Sequence, residues 1–336
     1  MRAGDRGLFA DRRDMRDMAA STKKTVPGKT KLRLHSAVLH YFDAVHRAGS
    51  VREAARRLNV ASSAVNRQIL YLEEELGTPL FMRLSSGMRL TSAGELLAHH
   101  VQLVLRDAEE VSSRLDQLRG LHAGHVEVAT VEGLCAFILP EAIGLLARRH
   151  PRITVGVQVL DTRDIPGAIA RGDAHMGLAF EVSKQPDIRQ LHVAPFVLGA
   201  IVRPDSPLAV RRVSALSDYF DMPVILPKSN FANRAQLDAL LPHAIRQECR
   251  RYDVGSIELM KQLVLRNAGV AFMTQVGIEP ELRAGTLQHI PIDHHRKRVV
   301  SNLGLYAHAT APLPVAADAL ARHLIGVMGA GGVPTP

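Results

Sequence analysis

Tryptophan is absent from this 336-residue chain, cysteine occurs only twice, and aromatic residues make up 4% of it. Cys135 and Cys249 lie far apart in sequence. That spacing excludes a disulfide framework and fits a reducing compartment, with both thiols expected to be buried and free. No apolar run approaches the roughly 18 residues that a membrane helix needs, so no membrane partner is expected. The N-terminus carries no apolar leader core, and the expected location is the cytoplasm. Catalytic signatures are missing as well: no HExxH, CxxC, GxSxG or Walker loop occurs, and no GxGxxG follows a strand. Histidine is plentiful, with 16 residues, among them the neighbours His99-His100 and His294-His295 and the pair His122 and His125. None joins a cysteine or an acid at a metal-ligand spacing. No catalytic residue, metal or cofactor is therefore expected, and the chain is not read as an enzyme.

What is present is positive charge and enough apolar residues for real cores. The chain holds 42 basic and 33 acidic residues, a net charge of +9, and 46% hydrophobic residues. Its length allows two or three domains. Two thirds of the excess charge falls in residues 1–120. That distribution suits attraction to phosphates; charge alone would equally describe a solvated basic surface.

The motif that decides between these readings runs from Ser50 to Leu76 as SVREAARRLNVASSAVNRQILYLEEEL. Val51, Ala54, Ala55 and Leu58 fall on one helical face, and Ala64, Val65, Ile69, Leu72 and Leu76 on another. A three-residue break, Asn59-Val60-Ala61, separates them. The second segment carries Ser62, Ser63, Asn66, Arg67 and Gln68 away from its apolar side, with Tyr71 one turn on. Two helices joined so tightly, the second with a polar outer face, form a helix-turn-helix. Arg67 and Gln68 have the reach for base edges or phosphates, and Asn66 can pair bidentately with adenine. Ser50 is placed as N-cap of the first of these helices, beside Arg52, where helix N–H groups can meet a phosphate. Residues 79–90 read as a two-stranded wing, anchored by Phe81 and Leu90, turned at Ser85-Ser86-Gly87 and flanked by Arg83 and Arg89. For Arg83 a surface salt bridge is the competing reading.

AARRLNV, AVNRQI, LEEELGTPLF and RLTSAGE, in this order and spacing, resemble the N-terminal domain of LysR-type transcriptional regulators. The likeness extends more weakly to about Met328. It departs at Ala61-Ser62-Ser63, where the family often has Ser-Gln-Pro. A base-reading Gln is lost there, and the capping duty is expected to fall to Ser62.

Residues 1–30 lack periodicity and read as a disordered extension; Met15 or Met18 is an alternative start, and the acids Asp11, Asp14 and Asp17 argue against a DNA-touching arm. Residues 31–91 form the winged helix-turn-helix domain, opening with a helix over 34–48 that buries Val38, Leu39, Phe42 and Val45. A long helix follows over 92–119, with Ser92 and Glu95 matching a capping box. Leu97, Val101, Val104, Ala108, Val111, Leu115 and Leu118 recur at spacings of four and three. This heptad seam predicts homodimerisation through the linker helix of residues 92–120; a helix lying on its own domain is the plainer alternative.

After a hinge at 120–124, strands and helices alternate. Strands are predicted over 125–130, 153–160, 175–180, 193–202, 223–226, 250–254, 270–273, 286–292 and 299–307, and helices over 134–149, 165–170, 230–244, 256–267 and 315–328. Such alternation gives largely parallel sheets with helices on both faces. Gly124-X-Val-X-Val, Leu139-Pro140, the run from Arg171 to Ala179 and the run from Asn267 to Phe272 are similar to the family's effector domain. The resemblance implies an α/β fold class: a winged helix-turn-helix, a dimerising linker helix and a two-lobed, periplasmic-binding-protein-like effector domain over 121–330. Lobe I takes about 125–199 and 300–328, lobe II about 200–299, with crossing strands near 199–201 and 301–304.

In open α/β sheets ligands bind beyond the carboxyl ends of strands. That rule selects Thr130, Val131, Glu132, Gly133, Asp161, Thr162, Phe180, Ser229, Asn230, Ser256, Thr274 and Gln275 as cleft residues, although Ser256 serves equally as a simple N-cap. Val131 and Gly133 stand where many family members carry a hydroxyl, which weakens the expectation of a small carboxylate. Glu132 favours a cationic or hydroxylated ligand, and Glu132 and Ser229 are expected to face it from opposite lobes. The implied function is a sequence-specific regulator that binds double-stranded DNA under control of an unidentified small-molecule effector. The implied assembly is a homodimer pairing into a homotetramer, with RNA polymerase as a further partner. The alternative is a solute-binding or enzymatic α/β module carrying a helical extension.

Overall fold

The computed structural model describes residues 36–85, 87–118, 123–219, 221–240 and 251–331. The extension expected over 1–30 and Cys249 lie outside these residues, as do residue 119 of the expected linker helix and 120–122 of the expected hinge. Ala123 and Gly124 already belong to a strand.

Three helices open the described chain: α1 (Ala37–Ala48), α2 (Val51–Leu58) and α3 (Ser62–Leu76). Each ends on a residue in the left-handed region, Gly49, Asn59 and Gly77 respectively, which satisfies the last carbonyls and turns the chain. Phe42, Val45, Ala54, Ala55, Val65 and Ile69 fill the space between the helices. Burying each of the larger side chains contributes about 1.5–3 kcal/mol. The wing is the hairpin of β1 (Phe81–Leu84) and β2 (Gly87–Leu90), with Phe81 opposite Leu90. Phe81 stacks at 5.2 Å on Phe42. The Glu73 carboxylate accepts the N–H groups of Leu80 and Phe81 at 2.7 and 3.1 Å, fixing how the wing leaves α3. The hairpin is tied to the α1–α2 turn by the Met88 N–H, 2.8 Å from the Gly49 carbonyl. Gly87, at φ 122, must be glycine: a Cβ there would stand 2.7 Å from that same oxygen.

The linker helix α4 spans Ser92–Leu118. Its cap is Thr91, one residue earlier than the expected Ser92: the Thr91 hydroxyl accepts the Gly94 N–H at 3.0 Å and donates to the Pro79 carbonyl at 2.7 Å. Thr91 can do both because it still has extended backbone freedom outside the helix, whereas Ser92 is already inside it. The apolar seam divides in two. Leu97, Ala98 and Val101 complete the helix-turn-helix core, while Val111 and Leu115 remain 38% exposed. Arg106 then ties α4 to the next domain through the Ile169 carbonyl at 3.0 Å.

That domain is built on two five-stranded sheets. The first contains β3 (Ala123–Thr130), β4 (Arg152–Val159), β5 (Met176–Phe180), β6 (Ile188–Val197) and, from the end of the chain, β14 (Val300–His308), in the order β4-β3-β5-β14-β6. The second contains β7 (Gly199–Val202), β8 (Val224–Pro227), β9 (Arg251–Val254), β10 (Val270–Met273) and β11 (Gln288–Pro291), in the order β11-β7-β10-β8-β9. A small ribbon, β12 (Asp293–His294) and β13 (Lys297–Arg298), precedes β14. The sheets are mixed where largely parallel ones were expected: β14 runs antiparallel to β5 and β6, and β7 antiparallel to β10 and β11. The antiparallel members are the strands entering and leaving each lobe, which return without a helical crossover.

Helices α5 (Ile138–Arg149) and α10 (Val315–Gly331) cover one face of the first sheet, and α6 (Ile165–Arg171) covers the other. Around the second sheet lie α7 (Ala232–Leu240), α8 (Ile257–Leu265) and α9 (Glu279–Ala284), the last not anticipated from sequence. The helix expected from residue 134 starts at Ile138, after a 3-10 turn over Glu132–Cys135. That turn leaves Cys135 exposed, against the expectation of a buried thiol. The strand expected over 193–202 is two strands in different sheets, broken at Leu198. The lobes are therefore joined at Leu198 and Val299, slightly before the expected crossings. Leu198 N–H donates to the Val299 carbonyl at 2.8 Å, and both residues also bond Ile292.

Candidate functional site

The helix-turn-helix presents a polar surface on α3 and the wing. Ser62, Ser63, Arg67 and Tyr71 are exposed on α3, with Asn66 and Gln68 half-buried beside them. Arg52 on α2 and Arg83 and Arg89 on the wing are exposed too. Arg83 bonds the Asn66 side-chain oxygen at 3.3 Å, so wing and α3 form one continuous surface. Among the described residues Arg83 makes this polar bond and not the salt bridge weighed from sequence. Arg56 and Arg57 are occupied by Glu53, whose carboxyl their hydrogen bonds hold down at about 2. Arg52, Arg67 and Arg89 have no carboxylate partner among the described residues, and so offer their charge outward. Ser50 caps α2, accepting the Glu53 N–H at 3.5 Å. Ser62 does not cap α3. It is the first helical residue, the cap position is Ala61, and no side chain accepts the first N–H groups. A helical Ser62 projects its hydroxyl along the surface, not back over its own N-terminus.

A cavity of about 290 Å³ opens between the two lobes of the second domain. From the first lobe it is lined by Val131, Glu132 and Gly133 after β3, by Asp161 and Thr162 after β4, and by Phe180 at the end of β5. From the second lobe come Asn230, before α7, and Thr274, after β10. Two side-chain contacts bridge the lobes at its rim. Asn230 donates to the Asp161 carboxylate at 3.1 Å. Glu132 accepts the Ser256 hydroxyl at 3.0 Å and the Ile257 N–H at 3.2 Å. Its carboxylate thus sits on the N-terminus of α8, where free N–H groups and the helix dipole favour a negative charge.

Four expected cleft residues lie elsewhere. The Thr130 side chain is fully buried within the first sheet. Ser229 is exposed outside the cavity, because the turn before α7 carries Asn230 inward in its place. Ser256 stands behind Glu132, capping α8 by accepting the Leu259 N–H at 3.4 Å. Gln275 faces a separate opening of about 590 Å³ between α5, α9 and α10.

Two family models match the chain. Residues 37–95 match the bacterial regulatory helix-turn-helix protein of the lysR family, and residues 119–329 match the LysR substrate binding domain. The chain belongs to the LysR family. Among curated relatives of this LysR-family regulator is a "Probable RuBisCO transcriptional regulator" of Emiliania huxleyi, 27% identical over 255 residues, covering 74% of this chain and 81% of the relative. A full-length OxyR variant of Pseudomonas aeruginosa superposes with a TM-score of 0.72 at 18% identity, covering 90% of this chain and 99% of that one. CbnR, solved in complex with its target DNA, gives 0.56 at 22% identity, covering 87% and 99%. These structural likenesses are of fold.

Sequence reasoning missed several lining residues of the LysR-family regulator. Val159 and Leu160 precede the chosen strand-end residues by a position or two. Phe231 and Asn233 enter from the start of α7, and Ile257 and Met260 from the first turns of α8. Side chains in a helix lean toward its N-terminus, so first-turn residues of a helix that follows a strand belong with the strand end. Ser301 lines the cavity from β14, on the return crossing, with no local signal in the sequence to mark it.

Proposed function

We propose that this LysR-family protein is a sequence-specific DNA-binding transcriptional regulator governed by a small molecule held between its two α/β lobes. The observation carrying this reading is the pairing, in one chain, of an outward-facing α3 and wing surface with an inter-lobe cavity bridged by Asp161–Asn230 and Glu132–Ser256. Ligand-driven change at those bridges alters the angle between lobes, and α4 is bonded to the first lobe through Arg106. The reading is also supported by relatives named as transcriptional regulators and by CbnR having been solved on its target DNA.

Base contacts fall to Asn66, Arg67 and Gln68, and backbone contacts to Arg52, Arg83 and Arg89, with Ser50, Ser62, Ser63 and Tyr71 at the same surface. Dimers form through the free half of α4 and pair into tetramers, RNA polymerase is the downstream partner, and the chain acts in the cytoplasm without enzymatic activity. Among the described residues no helix is long and apolar enough to cross a membrane. Selection of random duplexes by the full-length protein tests this reading. The expected product is a dyad with half-sites about one helical turn apart. Recovery of unrelated sequences with uniform affinity would reject sequence-specific regulation.

A further inference from the structure

The inter-lobe cavity has an unequal distribution of charge. Two carboxylates line it, Glu132 and Asp161, and among the described residues no lysine, arginine or histidine does. Glu132 is already accommodated by the Ser256 hydroxyl and the Ile257 N–H. By occupying the N-terminus of α8 with the chain's own carboxylate, it takes that terminus away from an anionic ligand. Asp161 is different. Among the described residues its side chain receives one hydrogen bond, from Asn230, and no cation. A second polar group lines the same cavity. Ser301 is fully buried, lines the cavity, and its hydroxyl has no hydrogen-bond partner among the described residues. A buried hydroxyl without a partner is costly and is normally satisfied by a water or a ligand. The rest of the wall is apolar, including Val131, Phe180, Phe231, Met260 and Met273. Its volume is at the lower end of the roughly 300–1,000 Å³ common for small-molecule sites.

We propose that the cavity selects a small organic amine with an apolar body, its ammonium group on the Asp161 carboxylate and a polar atom at Ser301, and that it excludes carboxylates. This rests on the reading of the cavity as the effector site and narrows its chemistry. Opposite charges attract more strongly at a half-buried site than in bulk solvent, so an unbalanced Asp161 discriminates between ligands of one shape and different charge. A carboxylate of the same shape meets two like charges and finds the terminus of α8 taken.

The test uses the full-length protein and matched probes sharing one apolar body. 2-Phenylethylamine, 2-phenylethanol and 3-phenylpropionate form one set, and the corresponding cyclohexyl and hexyl compounds two more. Thermal shift ranks them and calorimetry gives affinities for wild type, Asp161→Asn and Glu132→Gln. The amines are expected to stabilise wild type, the alcohols less, and the carboxylates not at all. Asp161→Asn should weaken amine binding by about tenfold or more, the scale of a lost charge-assisted contact, while the unliganded melting temperature reports whether the variant folds. Glu132→Gln should admit the carboxylates by freeing the terminus of α8 from its charge. Carboxylates binding wild type as well as the amines, or amine binding indifferent to Asp161→Asn, would overturn the proposal and leave the cavity an effector site of other chemistry. Absence of binding by all three classes would overturn the effector-site reading and the proposal with it.

Discussion

Glu132 and Ser256 belong to different lobes and meet at 3.0 Å, the carboxylate of one accepting the hydroxyl that caps the helix of the other. Ser256 accepts the Leu259 N–H while donating to Glu132, which itself also receives the Ile257 N–H. The first turn of α8 is therefore satisfied partly from the opposite lobe. Lobe closure and the satisfaction of that turn are coupled, and any ligand that moves Glu132 leaves the Ile257 N–H without its acceptor while Ser256 still caps α8.

That coupling predicts the behaviour of Glu132→Ala. Removing the carboxylate leaves the Ile257 N–H and Ser256 hydroxyl without their acceptor, a loss of about 1–3 kcal/mol for partly buried groups. Hydrogen exchange at residues 256–259 should quicken, and small-angle scattering should register a more open pair of lobes. Unchanged exchange in this turn would mean the bridge contributes nothing to closure.

The DNA surface predicts a separation of roles. Arg67 is exposed on α3 without a carboxylate partner, whereas Arg89 stands on the wing. Arg67→Ala should cost about 1–3 kcal/mol on the selected operator and little on scrambled DNA, as for a lost base contact. Arg89→Ala should weaken both duplexes alike and lower the salt dependence by about one phosphate contact. Asn66→Ala should resemble a mixture of the two, since Asn66 also holds Arg83. Equal losses on both duplexes for Arg67→Ala would remove it from base recognition.

Much of this organisation was legible because it rests on local patterns. The helix-turn-helix follows from two apolar faces and a three-residue break, and the α/β grammar from alternating periods. The sequence was less informative where a property depends on what lies opposite. The break of β6 from β7 at Leu198 is set by pairing with Val299 and Ile292 in another part of the chain, which the neighbouring Gly199 does not reveal by itself. Ser229 and Asn230 are equivalent as sequence, and only the turn before α7 determines which faces Asp161. Glu132 was expected to meet the ligand directly; its engagement with α8 depends on a helix that begins 125 residues later.

The linker helix gives a prediction in which two parts of one apolar seam behave differently. Val101 is fully buried in the helix-turn-helix core, whereas Val111 and Leu115 are 38% exposed. Asp at 101 should unfold the N-terminal domain, because an unpaired charge in an apolar core is costly. Val111→Asp with Leu115→Asp should leave each subunit folded and reduce its mass in light scattering to that of a monomer. A dimer persisting in the double variant would place the subunit contact elsewhere.

A last prediction concerns acid. His289 on β11 lies beneath the crossing at Leu198, in space left by Gly199: a Cβ at 199 would stand 2.3 Å from its Nε2. Burial disfavours the charged ring and holds it at about 4, from an ordinary 6.5. The nearby backbone of Met273 and Val197 offsets only part of this, and among the described residues neither ring nitrogen has a partner at hydrogen-bonding geometry. Because the folded value lies below the unfolded one, the unfolded chain takes up a proton first as pH falls. The stability contributed by neutral His289 is full above about pH 6.5 and is lost progressively as pH drops toward about 4, by on the order of 3 kcal/mol. Carboxylates titrate in the lower part of that window, so the comparison is between wild type and His289→Gln. Urea unfolding from pH 7 to pH 4.5 should show a shallower decline for the variant, whatever its stability at neutral pH. Parallel slopes for the two proteins would mean that His289 is already able to take its proton in the folded state.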